Sequence, residues 1–217
     1  MDLFARLRYL ARTQTEAIAL EWPERRVTSR RLWSRIERAC ARLQAQWEIA
    51  PGERIAYYGP AHPDALLLYL AAARCGATLV PLERPALQEN AGQVARALGI
   101  RLMLCQEDHP APADARGLLL KPLSELIGQP CPREPWSIIE DPAHPGLEIV
   151  ELPLETVPRT RRIGLSDLMP PSPPLPQGGT AVVETGLFEA ATLGPVVLAA
   201  LWAGAPLAFP RAAGRPR

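Results

Sequence analysis

Over residues 1–105, short apolar runs alternate regularly with segments of helical periodicity, and this alternation constrains the chain more than any other feature. Strand-like runs separated by helices of ordinary length predict an α/β layer fold, because the helix carries the chain back so that the next strand can run parallel to the last. Ala17–Trp22 and Arg25–Thr28, joined across Pro23-Glu24, read as a hairpin. Ser29 is placed to cap a helix whose apolar positions Leu32, Trp33, Ile36, Ala39, Cys40 and Leu43 recur every three or four residues. Pro51-Gly52 turns into the strand Arg54–Tyr58, and Gly59-Pro60 leads to a helix over 63–74 that is apolar nearly all round and therefore expected to be buried. Gly76 ends that helix, and Ala77–Leu82 is a strand. Gln88–Leu98 reads as a helix and Leu102–Cys105 as a further strand. The expected product is a mostly parallel sheet flanked by helices.

From about residue 108 the texture changes. Most of the 25 prolines lie beyond this point, and the run Pro170–Pro176 excludes both a helix and a central strand. It reads as an extended spacer of polyproline character, without a binding role. The chain is therefore expected to divide into an α/β region over 1–107 and a proline-rich continuation over 108–217. The latter ends in a helix–strand unit at 181–210: a strand at Ala181–Val183, a helix over 187–203 and a short strand at Pro206–Phe209.

Composition excludes more than it selects. A hydrophobic content of 47% supports a packed core, and a net charge of +1 gives no field to draw nucleic acid or an anionic membrane. Lys121 is the sole lysine, so lysine chemistry has a single possible donor. Cys40, Cys75, Cys105 and Cys131 form no C-x-x-C pair and have no histidine couple nearby; they read as reduced core residues rather than a zinc or redox motif. The first residues carry no secretory pattern, so a cytoplasmic location is expected. Ala190–Phe209 is uncharged and is followed by Arg211, Arg215 and Arg217, as in a tethering membrane span. Gly194-Pro195 and Gly204-Ala205-Pro206 interrupt that run, and the membrane reading is set aside as a third alternative.

Three stretches carry a common pattern: Thr28 with Leu32–Ile36; Ile49-Ala50-Pro51-Gly52-Glu53-Arg54-Ile55-Ala56; and Pro63 through Leu82 with its Gly76-Ala77-Thr78-Leu79-Val80-Pro81-Leu82 ending. In order and spacing they resemble the opening of the AMP-binding, adenylate-forming ligase superfamily of acyl-CoA synthetases, adenylation domains and luciferases. A further echo runs from Asp141-Pro142-Ala143 through Leu165–Leu168 and Gly186–Glu189 to Leu201–Pro210. The resemblance implies the N-terminal part of that fold, in which the region 27–82 is scaffold. It also implies that the strand after Asp141-Pro142-Ala143 runs into a T-S-G-T-T-G-x-P-K-G loop holding ATP phosphates.

At that place this chain has Glu151–Arg162, with no glycine before Gly164. A phosphate cradle needs glycines so that successive N–H groups can turn toward the anion. Pro153 and Pro158 each remove a donor, and Glu151 and Glu155 bring negative charge. Thr156, Arg159, Arg161 and Arg162 are the residues left at the phosphate-loop positions, and the arginines are the only candidates to replace the family's lysine. His62, at a strand-to-helix turn, is a ligand-contact candidate or else a capping or surface histidine. No catalytic residue and no metal ligand are identified. The family's later segments, which bind adenine and ribose and carry a catalytic lysine, would lie past Arg217.

The expectation is a truncated, non-catalytic member acting as a binding or assembly module. It would require no cofactor, and a second copy or a partner protein would cover an open sheet edge. The alternative is part of an ATP- and Mg-dependent acid-activating ligase completed by another chain or a longer reading frame. The sequence names no acyl substrate.

Overall fold

A computed structural model describes residues 2–23, 25–107, 109, 111–128, 146–168, 179–183 and 186–210. Cys131, Asp141-Pro142-Ala143, His144, the run Pro170–Pro176 and the terminal arginines fall outside them.

In chain order the elements are α1 (Leu3–Thr13), β1 (Ile18–Trp22), β2 (Arg25–Thr28), α2 (Ser29–Ala41) with a π-helical continuation at Arg42–Gln46, β3 (Arg54–Tyr58) and α3 (Pro63–Arg74). Then come β4 (Thr78–Pro81), α4 (Pro85–Gln88), α5 (Ala91–Ala97), β5 (Leu102–Cys105), β6 (Leu119–Pro122), α6 (Glu125–Gly128), β7 (Leu147–Val150), β8 (Thr160–Ile163) and α7 (Leu165–Leu168). The last are β9 (Ala181–Val182), α8 (Ala190–Thr192) with a π-helical segment at Leu193–Leu198, α9 (Ala199–Ala203) and β10 (Leu207–Ala208).

These elements fall into two compact units. The first comprises residues 1–35, 61–63 and 166–217, and the second comprises 36–60 and 64–165.

The first unit holds a four-stranded sheet in the order β2-β1-β10-β9. β1 pairs antiparallel with β2, as the hairpin reading expected, and parallel with β10, which in turn pairs parallel with β9. α1 was not anticipated, although Leu3, Leu7, Leu10 and Ala11 lie on one buried stripe at helical spacing. Asp2 caps it, its carboxylate accepting from the Ala5 N–H at 2.7 Å. The Arg6 guanidinium donates to the Trp202 carbonyl at 2.8 Å and so ties α1 to the end of α9. Proline explains the π-helical segment before α9: Pro195 has no N–H to give to an i−4 carbonyl, and a widened turn carries the helix past it.

The second unit is built on a six-stranded sheet in the order β6-β5-β3-β4-β7-β8. All pairs are parallel except β7 with β8. The chain moves from β3 to β4 in one direction and from β4 back past β3 to β5 in the other. Right-handed crossovers in opposite directions place the two sets of connecting helices on opposite faces.

One face carries Ala56, Tyr58, Val80, Leu82, Met103 and Val150, packed with Leu87 of α4 and with Ala91, Val94 and Ala95 of α5. On the other face the alternate residues Ile55, Tyr57, Leu79, Leu102 and Leu104 are buried, and α3 is buried over nearly its whole surface, as its all-round apolar sequence expected. Gly146 fits closely against α3: a Cβ there would lie 2.9 Å from that of Ala73.

The single helix expected over Gln88–Leu98 is two. Pro85 starts α4 at its first turn, Asn90 leaves helical geometry at φ −122° and ψ 23°, and α5 begins anew. Its new N-terminus is capped from a distance: the Asp114 carboxylate accepts from Gly92 N–H at 2.9 Å and Gln93 N–H at 2.7 Å. Arg96 holds the Asp114 carbonyl in turn.

A Cβ on Gly92 would lie 2.2 Å from the Asp114 carbonyl oxygen, whereas one on Gly128 meets nothing within 4 Å. Gly92→Ala is therefore expected to destabilise the protein by about 2 kcal/mol, and Gly128→Ala to change stability little, in urea unfolding followed by circular dichroism.

Candidate functional site

The stretch Glu151–Arg162, which the sequence reading set at the phosphate-loop position, forms the loop and second strand of a hairpin. β7 and β8 pair antiparallel, with Leu147 opposite Ile163, Glu148 opposite Arg162, Ile149 opposite Arg161 and Val150 opposite Thr160. Residues 151–159 form the connecting loop, whose base is closed by the Glu151 N–H donating to the Arg159 carbonyl at 2.9 Å. The Arg84 guanidinium donates to the Val150 carbonyl at the mouth of the loop. Leu154 packs against the core beneath, while Leu152 and Val157 are exposed, Val157 to 74%.

The loop's backbone decides what it can hold. A nest of amide N–H groups that cradles an anion requires residues alternating between right- and left-handed conformations. Every residue from Glu151 to Arg159 has negative φ, and the left-handed positions of the second unit, Glu48 and five glycines between Gly52 and Gly117, lie elsewhere. The segment thus lacks both the glycines and the backbone geometry of a phosphate cradle.

The four candidate residues lie on this hairpin but serve different contacts. Thr156 is exposed in the loop. Arg159 is ion-paired with Glu155 at 3.0 Å. The last residues of the stretch read as loop, Thr160 to Arg162, are on β8, so Arg161 and Arg162 point to opposite faces of the sheet. Arg162 faces Glu148, with Nε 3.4 Å from its carboxylate, and Arg161 is on the other face and exposed. His62 belongs to the first unit, where its ring meets Trp22 edge-on at 6.5 Å between centroids.

Glu148 is the residue that sequence reasoning missed. Its side chain is fully buried, and its carboxylate accepts from Arg54 Nε at 2.7 Å, Arg54 Nη2 at 3.1 Å and Thr160 Oγ1 at 2.6 Å. Arg54 also reaches the Leu98 carbonyl at 3.2 Å. Burial pushes the carboxyl group's pKa up, but the hydrogen bonds from Arg54 and Thr160 and the charges of Arg54 and Arg162 outweigh burial and hold it below its ordinary value of 4.5. The signal was present as one acidic residue inside the apolar run Leu147–Val150.

With the sheet order and the hairpin established, comparison identifies the class. A family model described as AMP-binding enzyme matches residues 7–151, and the chain belongs to that family. The match ends at the first residue of the loop.

Among solved structures, the N-terminal subdomain of NpsA from Klebsiella oxytoca is similar over 100% of this chain and 56% of its own, with 20% identity and a TM-score of 0.75. The o-succinylbenzoate CoA synthetase MenE from Bacillus subtilis is similar over 94% of this chain and 43% of its own, at 15% identity and a TM-score of 0.75. MbtA from Mycobacterium smegmatis gives 96%, 43%, 21% and 0.71 for the same quantities. The chain thus spans about half the length of these proteins, and at such identities the likeness establishes the fold. A search of curated protein sequences finds no match.

Because Glu148 has a lowered pKa, its stabilising contribution is fully present above the unfolded value of 4.5 and is lost as the pH falls through the folded value below it. Glu148→Gln strands two arginines without their counter-charge. It is expected to cost about 3 kcal/mol at neutral pH, with the gap to the parent narrowing on acidification below 4.5, in urea unfolding across that range.

Proposed function

We propose that this chain is a non-catalytic member of the AMP-binding family, a pseudoenzyme module that binds or assembles with other protein rather than activating an acid. The observation that supports this most directly is the loop 151–159, whose residues all have negative φ and which therefore presents no nest for the phosphates of ATP. Two of the three nearby arginines are already paired, Arg159 with Glu155 and Arg162 with Glu148. Adenylation requires cations and amides gathered around the α-phosphate, and a cation without the amides leaves the developing charge poorly held.

Titration with ATP and Mg²⁺ by calorimetry is expected to show no saturable binding below about 1 mM. Saturation in the micromolar range would overturn the proposal.

A second reading is supported by family membership and by the half-length match to the solved structures: the chain supplies one part of an ATP- and Mg-dependent acid-activating ligase whose remainder is another polypeptide or the rest of a longer reading frame. In that case Arg161, exposed on the outer face of β8, is the cation that would meet a nucleotide phosphate. Nucleotide binding that arises only when a candidate C-terminal ligase domain is added would favour this reading over the first.

The assembly surface we propose is the edge of the first unit's sheet at β9, one of its two outer strands among the described residues, where Val182 is 50% exposed. A second copy or a partner chain covers this edge. Multi-angle light scattering on the purified chain is expected to give a dimer or larger species, and a monomer that persists as concentration rises would overturn the assembly surface. No helix among the described residues is long and apolar enough to cross a membrane. We place the protein in the cytoplasm.

A further inference from the structure

The second unit contains a pair of cysteines that the reading of loop and fold does not use. Cys40 lies near the end of α2 and Cys75 immediately follows α3; both are reduced, and they are 0% and 2% exposed. One carbonyl locates them together: Ala71 O accepts from Cys40 Sγ at 3.4 Å and from Cys75 N–H at 3.0 Å. Of the neighbouring side chains, Cys75 acts most strongly on the Cys40 thiol. Thirty-five positions separate the cysteines in sequence, and the C-x-x-C spacing that marks a redox pair is absent, so only folding brings the two residues to one carbonyl.

We propose that Cys40 and Cys75 are a buried dithiol that two-electron oxidation closes to a disulfide, linking α2 to the end of α3. The oxidant is a small disulfide. One cysteine thiolate attacks a sulfur of that oxidant and expels its first thiolate, leaving a mixed disulfide. The other cysteine then attacks the protein sulfur of the mixed disulfide and expels the second thiolate. One S–S bond is broken and one formed, the protein loses two protons and two electrons, and the oxidant becomes two thiols.

The geometry also fixes how this happens. A close-packed interior has no room for the mixed disulfide. Burial, with the hydrogen bond to Cys75, holds the Cys40 thiol well above its ordinary pKa despite the opposing charge of Arg74, so the closed molecule carries little attacking thiolate. The first step therefore belongs to a transiently opened state and the second to reclosure.

The test uses the full-length chain with Cys105→Ser and Cys131→Ser, leaving only the proposed pair, incubated with oxidised dithiothreitol or oxidised glutathione. The expected product is a chain two mass units lighter by denaturing mass spectrometry, free of intermolecular disulfides, with a Cys40–Cys75 peptide link on non-reducing digestion. The rate should rise several-fold in sub-denaturing urea, and the unfolding midpoint of the oxidised form should be higher.

Two outcomes overturn the proposal: persistence of both thiols even when opening is promoted by urea, and stable glutathione adducts in place of the internal link. The further variants Cys40→Ser and Cys75→Ser should yield neither the mass change nor the stabilisation. If either still shows them, the pair is not their source. None of these readouts depends on nucleotide binding.

Discussion

The second unit depends on one buried carboxylate. Glu148 sits on β7, inside a sheet otherwise apolar at that point, and is balanced by Arg54 from β3, Thr160 and Arg162 from β8. These contacts span the sheet in the direction perpendicular to its strands. Between β3 and β7 lies β4, so the Arg54–Glu148 pair links strands that share no backbone hydrogen bonds with each other. On the other side, Thr160 and Arg162 fix the register of the one antiparallel strand. A slip of one residue would turn both away from Glu148 and bring Arg161 toward it. A buried ion pair adds little to stability compared with an apolar substitute, but losing one of its members is costly, and this asymmetry is what gives such a cluster its power to specify one arrangement.

The family match ends where the loop of the same hairpin begins. That match covers residues 7–151, which include β1 to β7. The loop then departs from a phosphate cradle in three independent ways: no glycine, no left-handed residue, and two prolines without N–H groups. Scaffold and ligand site in such folds are carried by different residues, and one can persist while the other changes.

Much of the second unit was legible in the sequence because its elements are locally self-consistent. The apolar helix Pro63–Arg74 and the strands Arg54–Tyr58 and Leu102–Cys105 announce themselves by composition and period. What escaped were features decided by distant partners. Asp114 caps a helix more than twenty positions earlier, so the break at Asn90 has no local signature. β6, at Leu119–Pro122, ends in a proline and lies in proline-rich surroundings, and its strand character comes from pairing with β5. The division into two sheets was also hidden, because β1 finds its parallel neighbour β10 near the other end of the chain. At the candidate site, the glycine-free loop was readable directly, whereas Glu148 required knowing that Arg54 lies two strands away. α1 is the exception, a helix that was not expected although its stripe of Leu3, Leu7 and Leu10 is at helical spacing in the sequence.

A loop in which every residue keeps negative φ makes no demand that only glycine can meet, so almost any L-amino acid can occupy most of its positions without backbone strain. Its ends are held two ways, by the Glu151–Arg159 hydrogen bond and by the hairpin register anchored at Glu148. The exposed tip residues Glu155, Thr156 and Val157 are consequently free to diverge, or to accept inserted sequence, while Leu154 and Pro158 stay packed and the sheet below stays as it is. Evolution or an engineer can rewrite the hairpin tip to suit a new binding partner without renegotiating the fold.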